Sequence, residues 1–327
     1  MSTNPDREPE LRDENRWVEA IANDIAGAAR LVLGAILAVV EGAPGWPARI
    51  ALWFKFVHLR RPDKNFGILP GWRRWLTALA AGPAAILMAV LFVDPIYMAW
   101  LRSSGGLDAR YRSIFETITR FGQSDWILIG TGIIIVGISL LSARRFKGAQ
   151  KPVVQTPLLN AYYLFTTVAF AGLLTNLLKN FVGRARPPFT PIGDVWFAAP
   201  FRDNYEYAAF PSGHATTAGA LAIALALLFP AFRWYFLFAG AWIAISRPAL
   251  GVHFPSDVLA GFLFGAAFSY VYARSFARKR LLFAFSPEGR LALRVPASRA
   301  ALRRRAGGIF QAALARNLDR PNRPDKE

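Results

Sequence analysis

The sequence contains no cysteine and only three histidines in 327 residues. Without cysteine there is neither a disulfide framework nor a thiolate metal site, although the redox compartment stays open. Acidic residues are scarce as well: 21 Asp and Glu stand against 39 Lys and Arg, a formal net charge of +18. No separate basic folded domain carries that charge, so nucleic-acid binding is disfavoured and no nucleic-acid partner is expected. No soluble linker divides the chain into two domains. Residues 1–19 lack a basic stretch leading into an apolar one, which argues against a cleaved signal peptide.

What the chain has in abundance is apolar length. Hydrophobic residues make up 54% of it and the mean hydropathy is +0.28, unusual for a soluble domain of this size. Blocks of membrane-spanning length occur at residues 75–100, 126–143, 157–178 and 214–229, with shorter cores at 234–245 and 258–272. The expected fold class is therefore an all-α membrane protein, six transmembrane helices in a bundle. Trp75 and Trp100 bound the first span as interfacial aromatics, and Pro83 is expected to kink it. Two shorter apolar runs, 31–40 and 50–59, read as N-terminal interfacial helices, with a seventh span over 25–40 left open. This gives an N-terminal extension over 1–74, a membrane domain over 75–273 and a basic tail over 274–327, where anionic lipids would meet the cations.

Charge sets the orientation. Eleven Lys and Arg precede the first span, and fourteen against four acidic residues follow residue 273, which places both termini in the cytoplasm. The loops around 101–125 and 144–156 carry four cations each and do not discriminate, so the reading rests on the ends. With six spans, the segments after the third and fifth emerge on the far face, periplasmic if the membrane is a bacterial cytoplasmic one.

Three clusters converge on that face: Lys179 with Arg186-Pro187, then Pro211-Ser212-Gly213-His214, then Arg247 with His253 and Asp257. Spans four and six begin right after Pro211-Ser212-Gly213 and Pro255-Ser256, so two helix N-termini would offer unpaired N–H groups and positive dipole ends. Ser212 and Gly213 suit a tight turn that approaches an anion, and Lys179, Arg186 and Arg247 add charge. His253 and Asp257 are four residues apart, which lets the carboxylate accept the Nδ1–H and leaves Nε2 basic; His214 stands opposite as a proton donor. Small residues recur every fourth position below them, His214-Ala218-Ala222-Ala226 and Asp257-Gly261-Gly265, so close contact between the two helices is expected at Ala222 and Gly265.

Together the clusters resemble the signature of the type 2 phosphatidic acid phosphatase superfamily, at every motif position from Lys179 to Asp257. The resemblance implies a lipid phosphate phosphatase in which His253 attacks phosphorus to form a phosphohistidine. Asp257 would orient it and His214 would protonate the leaving alkoxide, while Lys179, Arg186, Ser212, Gly213 and Arg247 hold the phosphoryl oxygens. No metal, no other cofactor and no obligate protein partner are implied. The substrate would be a membrane lipid phosphate: phosphatidic acid, phosphatidylglycerol phosphate, polyprenyl diphosphate or lipid A, the last two favoured by an outward-facing site. The alternatives are a phosphotransferase using the same intermediate and a non-catalytic lipid-phosphate binder. Pro248, directly after Arg247, and the two extensions depart from the pattern. Outside it, Arg184 reads as an interfacial anchor, Asp94 as a solvated helix end and His58 as an interfacial histidine, and the loop 189–210 as the place where the lipid is chosen.

Overall fold

The computed structural model describes residues 55, 57, 59–62, 72–145, 151–202, 204–286 and 289–294. The expected 31–40 interfacial helix, most of the 50–59 one and residues 295–327 of the tail fall outside the described residues. Those from 59 onward belong to one compact unit, and it is helical almost throughout.

An apolar chain with no water to satisfy its backbone must close its hydrogen bonds within each segment. Helix α1 (Trp72–Met88) runs through Pro83, passes a π-helical turn (Ala89–Val93) and continues as α2 (Asp94–Ser104). After a left-handed Gly105, α3 (Ala109–Arg120) is capped by the Asp108 carboxylate, and α4 (Asp125–Arg145) follows. Then come α5 (Lys151–Val182), α6 (Gly213–Leu228), α7 (Arg233–Ala249) and α8 (Pro255–Arg278). A short antiparallel hairpin of β1 (Phe283–Phe285) and β2 (Leu291–Leu293) closes the described chain.

Among the described residues, four segments are long and apolar enough to cross a membrane: Leu76–Ser104, Ala109–Ser139, Thr156–Val182 and Pro255–Arg278. Helix α6 is apolar but only 16 residues long, about 24 Å at 1.5 Å per residue. Leu79, Leu91, Phe92 and Ile96 on the first segment, Leu173 and Phe181 on α5, and Trp234 and Phe238 on α7 are all exposed, as lipid-facing side chains are. The chain is an integral membrane protein.

The packed centre is α6, held between α7 and α8. A side chain at Gly261 would run into the Ser212 carbonyl, one at Gly265 into the Thr216 carbonyl, and one at Gly219 into the Phe262 carbonyl. Helices α6 and α8 thus touch backbone to backbone, as expected, but along a different stripe. The α6 side of the contact is Ser212, Thr216 and Ala220; Ala218 and Ala222 face Gly240 of α7 instead. At the end remote from the histidines, Tyr163, Tyr272, Phe276 and Phe283 form an aromatic cluster, and the Tyr163 hydroxyl donates to the Ser269 carbonyl at 3.1 Å.

Candidate active site

The opposite end of the bundle gathers all three sequence clusters. Lys179 comes from the end of α5, Ser212, Gly213 and His214 from the start of α6, Arg247 from the end of α7, His253 from the α7–α8 turn and Asp257 from the first turn of α8. The segment between α5 and α6 folds over this end. Gly183 adopts φ +59, where a side chain would strike the Ala199 carbonyl, so only glycine fits. From that turn Ala185 pairs with Phe197 at 2.8 Å, Arg186 with the Glu206 carbonyl at 2.8 Å, and Ala209 with the Arg184 carbonyl at 3.1 Å.

Arg186 is 6% exposed. Its Nε donates to the Tyr205 carbonyl at 2.9 Å and its guanidinium stacks 3.7 Å over the Tyr205 ring. Arg247 donates to Thr119 Oγ1 at 2.8 Å, tying α7 to α3, whose Phe115 also meets Trp242. The Lys179 ammonium approaches Gly213, and His214 lies beneath Gly122. Each of these side chains is held from one side. Among the described residues, Arg186 Nη1, Ser212 Oγ, Arg247 Nε and His253 Nδ1 are buried with no protein partner. Buried polar atoms are seldom left so; Nδ1 faces Asp257, and the other three, one from each motif, can be satisfied by the oxygens of a ligand.

His253 is 1% exposed. Burial pushes its pKa well below the ordinary value, and the charges of Arg186, Arg247 and Lys179 push the same way, with the Ala209 carbonyl opposing them. The imidazole is therefore neutral at ordinary pH, with a lone pair on one ring nitrogen. Its Nδ1 stands 3.5 Å from Asp257 Oδ2 without a formed hydrogen bond, a looseness common in ligand-free sites.

One expectation changes. Helix α6 does begin at the anion end, with Ser212 as its N-cap and the Ser212 hydroxyl left free. The start of α8 is already occupied: Asp257 accepts the Phe254 N–H at 2.9 Å and Asp94 accepts the Ser256 N–H at 3.0 Å. One helix N-terminus is available to an anion, not two. Pro248 lies in the last turn of α7, which ends at Ala249, and its carbonyl accepts the Tyr97 hydroxyl at 2.8 Å.

Arg184 and Asp94 are the residues sequence reasoning misread. Neither is interfacial or solvated: both are fully buried, with the Arg184 guanidinium 2.8 Å from Asp94 and 2.5 Å from Asp257. An aspartate inside an apolar run was itself a usable signal, since a charge at membrane depth costs too much to be kept without a partner. Beside the cluster lies a cavity of about 410 Å³, lined by Arg102, Arg112, Pro187, Thr190, Leu250 and Val252 among others. Pro187 and Val252 are the chain neighbours of Arg186 and His253, so the cavity borders the anion site.

The PAP2 superfamily model matches residues 160–281, which contain all three clusters from Lys179 to Asp257. The chain is 40% identical to a lipid A 1-phosphatase of Rhizobium johnstonii over 222 residues, 66% of this chain and 86% of that protein. It is 38% identical to a lipid A 1-phosphatase of Rhizobium etli over 220 residues, 66% and 91% of the two chains. A lipid A 4'-phosphatase of Bacteroides thetaiotaomicron is 37% identical over 105 residues, 30% and 46% of the two chains.

Proposed function

The chain belongs to the PAP2 superfamily and is a membrane phosphatase acting on lipid phosphates, and on that premise we propose that its substrate is lipid A, from which it removes the 1-phosphate. The observation that carries the reading is the set of three buried, unpartnered polar atoms, Arg186 Nη1, Ser212 Oγ and Arg247 Nε, around a neutral His253. Two lipid A 1-phosphatases, of which the chain covers 86% and 91%, support the choice of lipid. The cavity beside Arg186 and His253 offers room for a sugar headgroup.

In this mechanism the phosphoryl oxygens lie against Arg186 Nη1, Arg247 Nε, the Lys179 ammonium, the Ser212 hydroxyl and the Gly213 amide at the α6 N-terminus. Nε2 of His253 attacks phosphorus; the P–N bond forms as the bond to the sugar oxygen breaks, and His214, which takes up a proton from solvent once the anionic phosphate is bound among these cations, gives that oxygen the proton. Asp257 takes up the developing charge on the imidazole through Nδ1–H. Water, deprotonated by His214, then attacks the phosphohistidine, the P–N bond breaks and inorganic phosphate leaves. The cations and the amide act on charge that grows as the bonds change, where preorganised donors are worth most.

The membrane arrangement proposed with it counts α6 and α7 as spans, giving six. The termini face the cytoplasm and the site faces the outer side of a bacterial cytoplasmic membrane. Residues 1–74 and 274–327 then flank a catalytic domain over 75–273.

The test is phosphate release by purified protein from lipid A, phosphatidic acid, phosphatidylglycerol phosphate and a polyprenyl diphosphate, with His253→Ala alongside. Release from lipid A at the 1-position, abolished in His253→Ala, is expected. Preference for another lipid overturns the substrate; substantial activity in His253→Ala overturns the nucleophile; binding of all four without release would make the chain a lipid-phosphate binder.

A further inference from the structure

Asp94 lies outside the three motifs, in the first apolar segment, yet every acceptor it has points at them. Its Oδ1 takes the Ser256 N–H at 3.0 Å, and its Oδ2 takes the Ser256 hydroxyl at 2.5 Å and Arg184 Nη2 at 2.8 Å. The π-helical turn at Ala89–Val93 directly precedes it. Such turns displace the following residues around the helix axis and recur at functional sites.

Arg184 cannot turn away from this contact. Nη1 donates to Asp257 Oδ1 at 2.5 Å and to Ser256 Oγ at 2.7 Å, while Nε and Nη2 both reach the Val195 carbonyl, at 3.2 and 2.5 Å. Trp196 and Phe254 lie over the guanidinium at 4.5 and 4.1 Å. One buried cation thus serves two buried carboxylates, and the second is the partner of His253. While Asp94 is charged, Arg184 divides its charge between them and Asp257 keeps enough for the imidazolium that forms during the reaction. With Asp94 neutral, the whole guanidinium charge falls on Asp257.

We propose that Asp94 is a positioning residue for phosphoryl transfer, acting through Arg184 and Ser256 on Asp257 and so on the His253 imidazole. The inference rests on the phosphohistidine reading for its catalytic consequence, and on geometry alone for the coupling of Asp94 to His253.

The experiment compares wild type with Asp94→Asn, which keeps the shape and an acceptor but loses the charge. Expected are a kcat lower by about 10- to 100-fold, the range found for partners that orient a reacting group, and a KM within about twofold of wild type. In ¹⁵N-histidine spectra of the detergent-solubilised protein, the Nδ1 resonance of His253, assigned by its loss in His253→Gln, should move. A wild-type kcat, a loss confined to KM, or an unmoved Nδ1 resonance overturns the proposal. Should Asp94→Asn fail to fold, Ser256→Ala, which changes no charge but cuts one arm of the relay, must reproduce the Nδ1 shift and a smaller kcat loss; its absence overturns the proposal too. If wild type hydrolysed none of the four lipids, the phosphatase reading would fall while the Nδ1 resonance still decided whether Asp94 governs His253.

Discussion

A histidine buried among three cations cannot afford a proton, and this ties the proposed role of His253 to stability at a single residue. His253 has its pKa pushed well below 6.5 by burial and by Arg186, Arg247 and Lys179. Above the unfolded value, about 6.5, neither state holds the proton. As pH falls through that value the unfolded chain takes up a proton that the folded chain refuses, so stability is lost on the acid side. The expected outcome is that lowering the pH from 7.5 to 5.5 reduces the apparent Tm of wild type a few degrees more than that of His253→Gln, which has nothing to titrate there. Equal losses in the two proteins would mean that His253 is not held neutral. At this scale the motif residues were legible in the sequence because their types and spacing are dictated by chemistry. Arg184 was not, because a cation two residues before Arg186 reads the same whether it anchors at an interface or bridges two carboxylates. What decides is the Asp94 carboxylate, 90 residues away in sequence.

Between elements, the distance from α6 to α8 fixes how far Ser212 and His214 stand from His253 and Asp257. Membrane helices gain little from burying apolar area against one another and depend on close packing, which glycine allows. Gly265→Ala would place a methyl group against the Thr216 carbonyl and must part the two helices. Gly130→Ala in α4 meets nothing within 4 Å and gains helix propensity of roughly 1 kcal/mol. Gly265→Ala is therefore expected to lower both apparent Tm and phosphate release, while Gly130→Ala leaves both unchanged or slightly raised; the same measurements on a Gly265→Ala protein that behaved like wild type would show that this contact does not set the site. The helices themselves were readable because long apolar runs have one stable solution in lipid. Which face of α6 meets α8 was not, since alanine recurs all round that helix and a fourfold spacing can be drawn down more than one side of it. Helix α3 was missed as well: it reads as a charged loop, although Asp108 at its N-cap and Ile114, Phe115 and Ile118 at helical spacing carry the signal of an amphipathic helix.

For the whole molecule, the claim with the widest consequence is the side of the membrane on which this chemistry occurs, because it decides which leaflet supplies the lipid. The charge excess lies on the segments before residue 75 and after residue 273, and Lys and Arg are retained on the cytoplasmic side. The site end of the bundle and the β1–β2 hairpin follow opposite ends of α8, a helix of 24 residues and about 36 Å, long enough to separate them across the hydrocarbon. A chain without cysteine makes this directly measurable. Ile192, 92% exposed in the segment folded over the site, and Arg290, exposed in the hairpin turn, are each replaced singly by cysteine. In intact bacterial cells with a permeabilised outer membrane, a membrane-impermeant maleimide should label Ile192→Cys at once. It should label Arg290→Cys only after the inner membrane is opened. The reverse pattern would turn the site toward the cytoplasm and the inner leaflet. Labelling of both before opening would mean that α8 does not cross. Only the expected pattern is compatible with hydrolysis at the outer surface of that membrane.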